Sequence, residues 1–134
     1  MSGQNFSKKR QMILDTIRST TSHPSAMWVY KTLKEQIPDL SLGTVYRNIT
    51  LFKEQGLVVS VATVSGEERI DGDTSAHAHF VCKECSRIYD IPEECVSMNK
   101  QVCNLQGFQT DTALLTYFGV CKSCCEINSL MKEA

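Results

Sequence analysis

The stretch Arg69-Ile70-Asp71-Gly72-Asp73-Thr74-Ser75-Ala76-His77-Ala78-His79-Phe80-Val81-Cys82-Lys83-Glu84-Cys85-Ser86-Arg87-Ile88-Tyr89-Asp90 decides how the rest of the chain is read. It sets two kinds of metal ligand side by side: carboxylates and imidazoles at Asp71, His77, His79 and Asp90, and thiols at Cys82 and Cys85. Oxygen and imidazole donors without a thiolate suit Mn²⁺ or Fe²⁺, whereas paired thiolates suit Zn²⁺, so the stretch predicts two different metals. His77 and His79, two apart on an expected strand, share a face.

Within it, Gly72-Asp73-Thr74-Ser75 has the composition of a linker, and the chain on its two sides differs in charge. Residues 1–60 carry eight Lys/Arg against four Asp/Glu, net +4, and residues 61–134 carry six against eleven, net −5, within an overall charge of −1. A positive first half suits a polyanion such as DNA, and an acidic second half suits divalent cations. At 134 residues the chain has room for one ordinary domain, or for two small ones that each lean on a metal or a partner subunit. We read 1–71 as one domain and 72–134 as a second.

Upstream, residues 7–19 place Met12, Ile13, Leu14 and Ile17 at helical spacing. Lys8, Lys9 and Arg10, on the first turn of such a helix, oppose its dipole and are expected to meet DNA phosphate. Pro24 suits the first position of a second helix reaching to about Gln36, with Ala26, Val29, Tyr30 and Leu33 inward. Ser41 is a good cap for a third, from Leu42 to about Gln55, whose apolar positions Leu42, Val45, Ile49 and Phe52 leave Thr44, Tyr46, Arg47 and Asn48 on or beside the exposed face. Residues 57–63 and 68–71, either side of a Ser65-Gly66 turn, read as a β-hairpin. Three helices and a hairpin predict a winged helix with the third helix in the major groove of double-stranded DNA. Thr44, Tyr46, Arg47, Lys8 and Arg10 are the expected DNA contacts.

Downstream, strands near 78–81 and 87–91, a helix over 92–106 closed by Gly107, a strand over 108–117 and a helix from about Lys122 predict a small α/β unit poor in large apolar residues. The whole chain is thus expected to be α+β. Cys82-x-x-Cys85 and Cys121-x-x-Cys124 supply four thiolates for one structural zinc, which would give that unit what its core lacks. Cys125 is an alternative to Cys124, and a thioredoxin-like redox pair is an alternative to zinc that lacks its usual βαβ surroundings. Cys95 and Cys103, eight residues apart on the predicted helix, read as small buried hydrophobes. Seven cysteines in a chain with no leader-like segment and no apolar run of about 20 residues point to a reducing cytoplasm. His23, taken alone, reads as a helix-cap or surface residue. A metalloenzyme built on His77, His79 and an Asp has no obvious acid, base or substrate pocket, so no enzyme is expected.

The chain resembles the Fur family of metal-dependent repressors. The resemblance rests on His23-Pro24-Ser25-Ala26, on Ser41-Leu42-Gly43-Thr44-Val45-Tyr46-Arg47-Asn48, on the His-x-His-x-x-Cys-x-x-Cys run from His77 to Cys85, and on Tyr117-Phe118-Gly119-Val120-Cys121-x-x-Cys124. Within the family it is most similar to the peroxide-sensing PerR branch. That implies a regulatory Fe²⁺ or Mn²⁺ held by His23, Asp71, His77, His79 and Asp90, a homodimer, and oxidation of His23 or His77 to 2-oxo-histidine when the metal is Fe²⁺. Iron-sensing relatives tend to have Glu where Asp90 stands. No His lies between Phe108 and Cys121, so an accessory metal site of some relatives is incomplete here. At the N-terminus, much of the leading helix that relatives use on DNA is missing, and Ser7-Lys8-Lys9-Arg10 stands where a Thr-Pro-Gln-Arg type of sequence is common. The same resemblance leaves a second reading: a repressor that follows iron or manganese availability and ignores peroxide.

Overall fold

A computed structural model describes residues 2–75, 77–92, 107–109 and 114–133. The chain divides into two compact units, Met1–Thr74 and Ser75–Ala134, at the end of the stretch read as a linker.

The first unit is built from α1 (Ser2–Arg18), α2 (Ala26–Leu33), α3 (Leu42–Glu54) and an antiparallel hairpin of β1 (Val59–Val64) and β2 (Glu67–Asp71). Its core is continuous. Ile13, Leu14 and Ile17 of α1, Val29 and Leu33 of α2, Val45, Ile49 and Phe52 of α3, and Ile70 of β2 are all buried together. Helical spacing on three elements thus converges on one apolar centre, and Phe52 is the largest fully buried side chain in it. The hairpin turns through Ser65 (φ 53°) and Gly66 (φ 81°), two successive left-handed residues of the kind that match the twist of adjoining strands. The ladder shifts register between Ser60 and Ala62, a bulge at Val61.

Three expectations need correcting in this unit. α1 begins at Ser2 rather than Ser7, so Lys8, Lys9 and Arg10 lie well inside the helix and the argument from its N-terminal dipole does not apply. Lys9 Nζ instead pairs with Asp39 at 2.7 Å, and Arg10 Nε donates to Asn48 Oδ1 at 3.1 Å. α2 starts at Ala26, because Ser25 caps it by accepting the Trp28 N–H, while the Pro24 carbonyl is taken by the Ile70 N–H; the helix also stops at Leu33, short of Gln36. Asn48 is buried at 3% exposure rather than facing out, its amide donating to the Thr44 carbonyl at 2.9 Å.

The second unit contains a three-stranded sheet of order β4-β3-β5, from β3 (Ala78–Cys82), β4 (Ile88–Ile91) and β5 (Thr116–Gly119), followed by α4 (Lys122–Glu133). The central β3 runs antiparallel to β4 and parallel to β5. Of the strand expected over 108–117, residues 110–113 lie outside the described residues; Gly107 and Phe108 lie in a turn and its exit, with Gly107 at φ 81°, and the described strand runs on to Gly119. The helix expected over 92–106, with Cys95 and Cys103, lies outside the described residues. Among the described residues, no helix is long and apolar enough to cross a membrane.

Candidate metal centres

The four thiols come together in the second unit. Parallel pairing sets Gly119 of β5 beside Cys82 of β3, which carries Cys121 to the turn that follows β3. That turn is tied by Ser86 N–H to Cys82 O and closes through Ser86 at φ 63°. The Sγ atoms of Cys82, Cys85, Cys121 and Cys124 all lie within 4.8 Å of one another, with Cys82–Cys124 and Cys85–Cys121 both at 3.8 Å. Zn–S bonds of about 2.3 Å in a tetrahedron require S···S edges of about 3.8 Å, so the donor set fits zinc. The structure gathers Cys124, on the first turn of α4, into this set. Cys125 is exposed, and its Sγ faces the Val120 carbonyl at 3.5 Å.

The electrostatics of the cluster are those of a cation site. Backbone N–H groups of Cys85 and Cys121 point at the Cys82 sulfur (3.5 and 3.3 Å) and draw its thiol down to about 6. The Cys124 N–H and the Tyr89 hydroxyl lower Cys121 in the same way. Cys124 moves the other way, held well above the ordinary thiol value chiefly by its hydrogen bond with Cys121.

The nitrogen and oxygen donors fall into two groups, one in each unit. In the first unit His23 is 2% exposed and its backbone is left-handed at φ 57°. Its Nε2 lies 3.3 Å from Asp71 Oδ2, while the other oxygen of Asp71 accepts the Asp73 N–H at 2.8 Å. Three successive residues of β2 grip the His23 segment: Arg69 donates through Nε to the His23 carbonyl and through Nη2 to the Ser22 carbonyl, the Ile70 N–H donates to the Pro24 carbonyl at 3.0 Å, and Asp71 faces the ring. The reading of His23 alone as a cap or surface residue is thereby corrected.

In the second unit His79 of β3 and Asp90 of β4 are direct cross-strand partners, which sets His79 Nε2 3.4 Å from Asp90 Oδ1. His77 precedes β3, yet its ring lies 4.4 Å from that of His79 and its Nε2 is 3.3 Å from the same Asp90 oxygen. The Nδ1 of His77 lies 2.7 Å from the Ser75 carbonyl; a proton there leaves Nε2 with its lone pair for a metal, the usual outer-shell arrangement for a ligating histidine. Separations of 3.3 and 3.4 Å exceed most N–H···O bonds. They are close to the edge of roughly 3 Å expected of neighbouring ligands on one octahedral ion. Each group on its own therefore has the donor chemistry of a partial Mn²⁺ or Fe²⁺ site.

Of the residues expected on DNA, Tyr46 and Arg47 lie exposed on α3, and Lys8 is exposed on α1. Thr44 takes part in the cap: its hydroxyl is 2.8 Å from Ser41 Oγ and accepts from Arg47 Nη2 at 3.1 Å. A side chain at Gly43 would press on Arg47 Nη1 at 3.2 Å, so the glycine leaves the guanidinium room to lie over the first turn.

Residues 1–118 match the ferric uptake regulator family. The chain belongs to that family. It is 32% identical over 123 residues to the peroxide operon regulator of Bacillus subtilis (strain 168), spanning 91% of this chain and 85% of that one. Among solved structures, the Campylobacter jejuni peroxide stress regulator superposes with a TM-score of 0.79 at 25% identity, over 90% of this chain and 92% of that one. The ferric uptake regulator of Pseudomonas aeruginosa with manganese gives 0.69 at 32% identity, over 84% and 87%. All three are regulators. In this member of the Fur family, Arg69, Ser75 and Tyr89, which the sequence did not single out, hold donors in place, and Asn48, expected on or beside an exposed face, joins two helices. Arg69 had one available signal: it stands two residues before Asp71 on a strand, and so on the same side.

Proposed function

We propose that this Fur-family chain is a metal-dependent transcriptional repressor that senses hydrogen peroxide by oxidation of a ligand histidine. The first unit is read as a winged-helix DNA-binding domain, with Thr44, Tyr46 and Arg47 of α3 and Lys8 and Arg10 of α1 toward operator DNA. The second is a zinc-stabilised dimerisation domain of a cytoplasmic homodimer; exposed Phe118, Ile127 and Leu130 are the kind of apolar surface that a second copy would cover. Cys82, Cys85, Cys121 and Cys124 hold the zinc. His23, Asp71, His77, His79 and Asp90 hold one Fe²⁺ or Mn²⁺. The observation that carries the reading is the donor chemistry: three imidazoles, each 3.3 or 3.4 Å from a carboxylate oxygen, with no sulfur among them.

Bound Fe²⁺ would supply reductive activation of the peroxide O–O bond. In net terms the histidine ring gives up the two electrons: one peroxide oxygen is inserted at a ring carbon–hydrogen bond of His23 or His77, the other leaves as water, and the metal undergoes no net change. Asp71 and Asp90 orient the imidazoles, and the Ser75 carbonyl holds the His77 proton at Nδ1. An oxidised ring would be a poorer ligand, and losing that donor would free His23 and Asp71 from His77, His79 and Asp90. A coupling of about 1–3 kcal/mol between metal and DNA would change operator affinity some 5- to 150-fold.

The test is anaerobic loading with Fe²⁺, limiting peroxide, then peptide mass spectrometry over His23 and His77 beside an operator-binding assay. One added oxygen on either histidine with loss of DNA binding, absent with Mn²⁺, is expected. Unmodified histidines with DNA binding intact would move the protein to the second reading, a repressor of metal availability. The likeness, at 32% identity, to a ferric uptake regulator, that of Pseudomonas aeruginosa, favours that alternative.

A further inference from the structure

We infer that Arg69 is a positioning residue for His23, acting through the backbone rather than through the metal. The inference rests on the reading of His23 as a ligand. His23 faces Asp71 from a left-handed backbone at φ 57°, a conformation that only a few per cent of non-glycine residues adopt, histidine more readily than most, and that is held here by contacts to its carbonyl. The group that holds it is the Arg69 guanidinium. Its Nε and Nη2 donate to the carbonyls of His23 and Ser22, one on each side of the turn. A planar fork with donors fixed in direction suits two adjacent carbonyls; an ammonium, being a single point, does not.

The strand explains the pairing. Arg69 and Asp71 are two apart on β2 and face the same side, while Ile70 between them points into the core and uses its N–H on Pro24. One three-residue run therefore fixes the turn from below and presents the carboxylate to the ring that the turn carries. Arg69 also lines an open cleft of about 340 Å³ with Ser22, Ser25 and Trp28, so the place it occupies is reachable from solvent.

The experiment measures Mn²⁺ affinity of the full-length, zinc-loaded protein by electron paramagnetic resonance. Arg69→Ala should lose about tenfold, the low end of the range for residues that orient metal ligands. Arg69→Lys should recover part of this, and millimolar methylguanidinium should recover affinity in Arg69→Ala but change nothing in the parent. Lys53→Gln is the control, because it removes the 2.8 Å Lys53–Glu68 pair elsewhere on β2 without touching the turn; it should bind Mn²⁺ as the parent does. Equal loss in Lys53→Gln, or failure of methylguanidinium to restore Arg69→Ala, would make the effect general loosening of the hairpin and overturn the inference. Parent affinity in Arg69→Ala while His23→Ala is weakened overturns the clamp alone. Parent affinity in His23→Ala removes the ligand reading and the clamp with it.

Discussion

Stripping zinc should unfold the second unit and leave the first standing. Among the described residues of that unit, the large apolar side chains that are buried and not sulfur ligands are Val81 and Ile88. At about 1.5–3 kcal/mol each they contribute about 3–6 kcal/mol. Ordering a backbone costs about 1–2 kcal/mol per residue, so the five residues of β3 alone consume that. A Cys₄ zinc contributes apparent folding free energy of about 10–16 kcal/mol, enough to decide the outcome. The first unit, by contrast, has its own core from Ile13 to Ile70. The assay is amide hydrogen exchange before and after chelation under reducing conditions. Protection should vanish over 78–82, 88–91 and 116–119 and persist in α1, α2 and α3. Protected sheet amides in protein shown to be free of zinc would refute the reasoning and return the cysteines to a role other than holding the fold.

Cys125→Ser should retain stoichiometric zinc, since Cys125 stands outside the sulfur cluster, whereas Cys82→Ser should lose it; metal content by mass spectrometry separates the two. Asn48→Ala should destabilise the first unit by about 2 kcal/mol in urea unfolding, because it deletes the hydrogen bonds to Arg10 and Thr44 and leaves the Arg10 Nε donor without that acceptor. An unchanged midpoint would show that the buried amide contributes nothing. Arg47→Ala should weaken operator binding at low salt and reduce the slope of log affinity against log salt by about one. Binding equal to the parent at every salt concentration would remove Arg47 from the DNA surface.

The order of elements was legible because period and punctuation agreed: Val45, Ile49 and Phe52 gave α3 its buried face, Ser41 its start, and Ser65-Gly66 the hairpin. The Cys-x-x-Cys spacing was sufficient to anticipate a sulfur cluster, since two sulfurs three residues apart meet in one turn. What pattern could not supply was which polar groups spend their hydrogen bonds locally. Pro24 looks like a helix start, but the Ser25 hydroxyl holds the cap and the Pro24 carbonyl serves β2. Asn48 looks solvent-facing by spacing, yet Arg10 draws it inward. His23 could not be placed from its own surroundings at all, because its orientation is set by Arg69 and Asp71, 46 and 48 positions along the chain. The pairing of His79 with Asp90 likewise depends on strand register, which alternation alone does not specify.

Strand β3 carries a donor of each kind, His79 and Cys82, with only Phe80 and Val81 between them. Three positions is an odd step, so the two side chains leave the strand on opposite faces. Substituting Phe80 or Val81 changes packing but keeps this opposition. Deleting either one would reverse it, turning one donor to the wrong side of the sheet, and no rotamer change could restore it. The tetrapeptide thus acts as a spacer whose parity matters more than its composition: point mutations there should be graded in effect, and single-residue indels all-or-none.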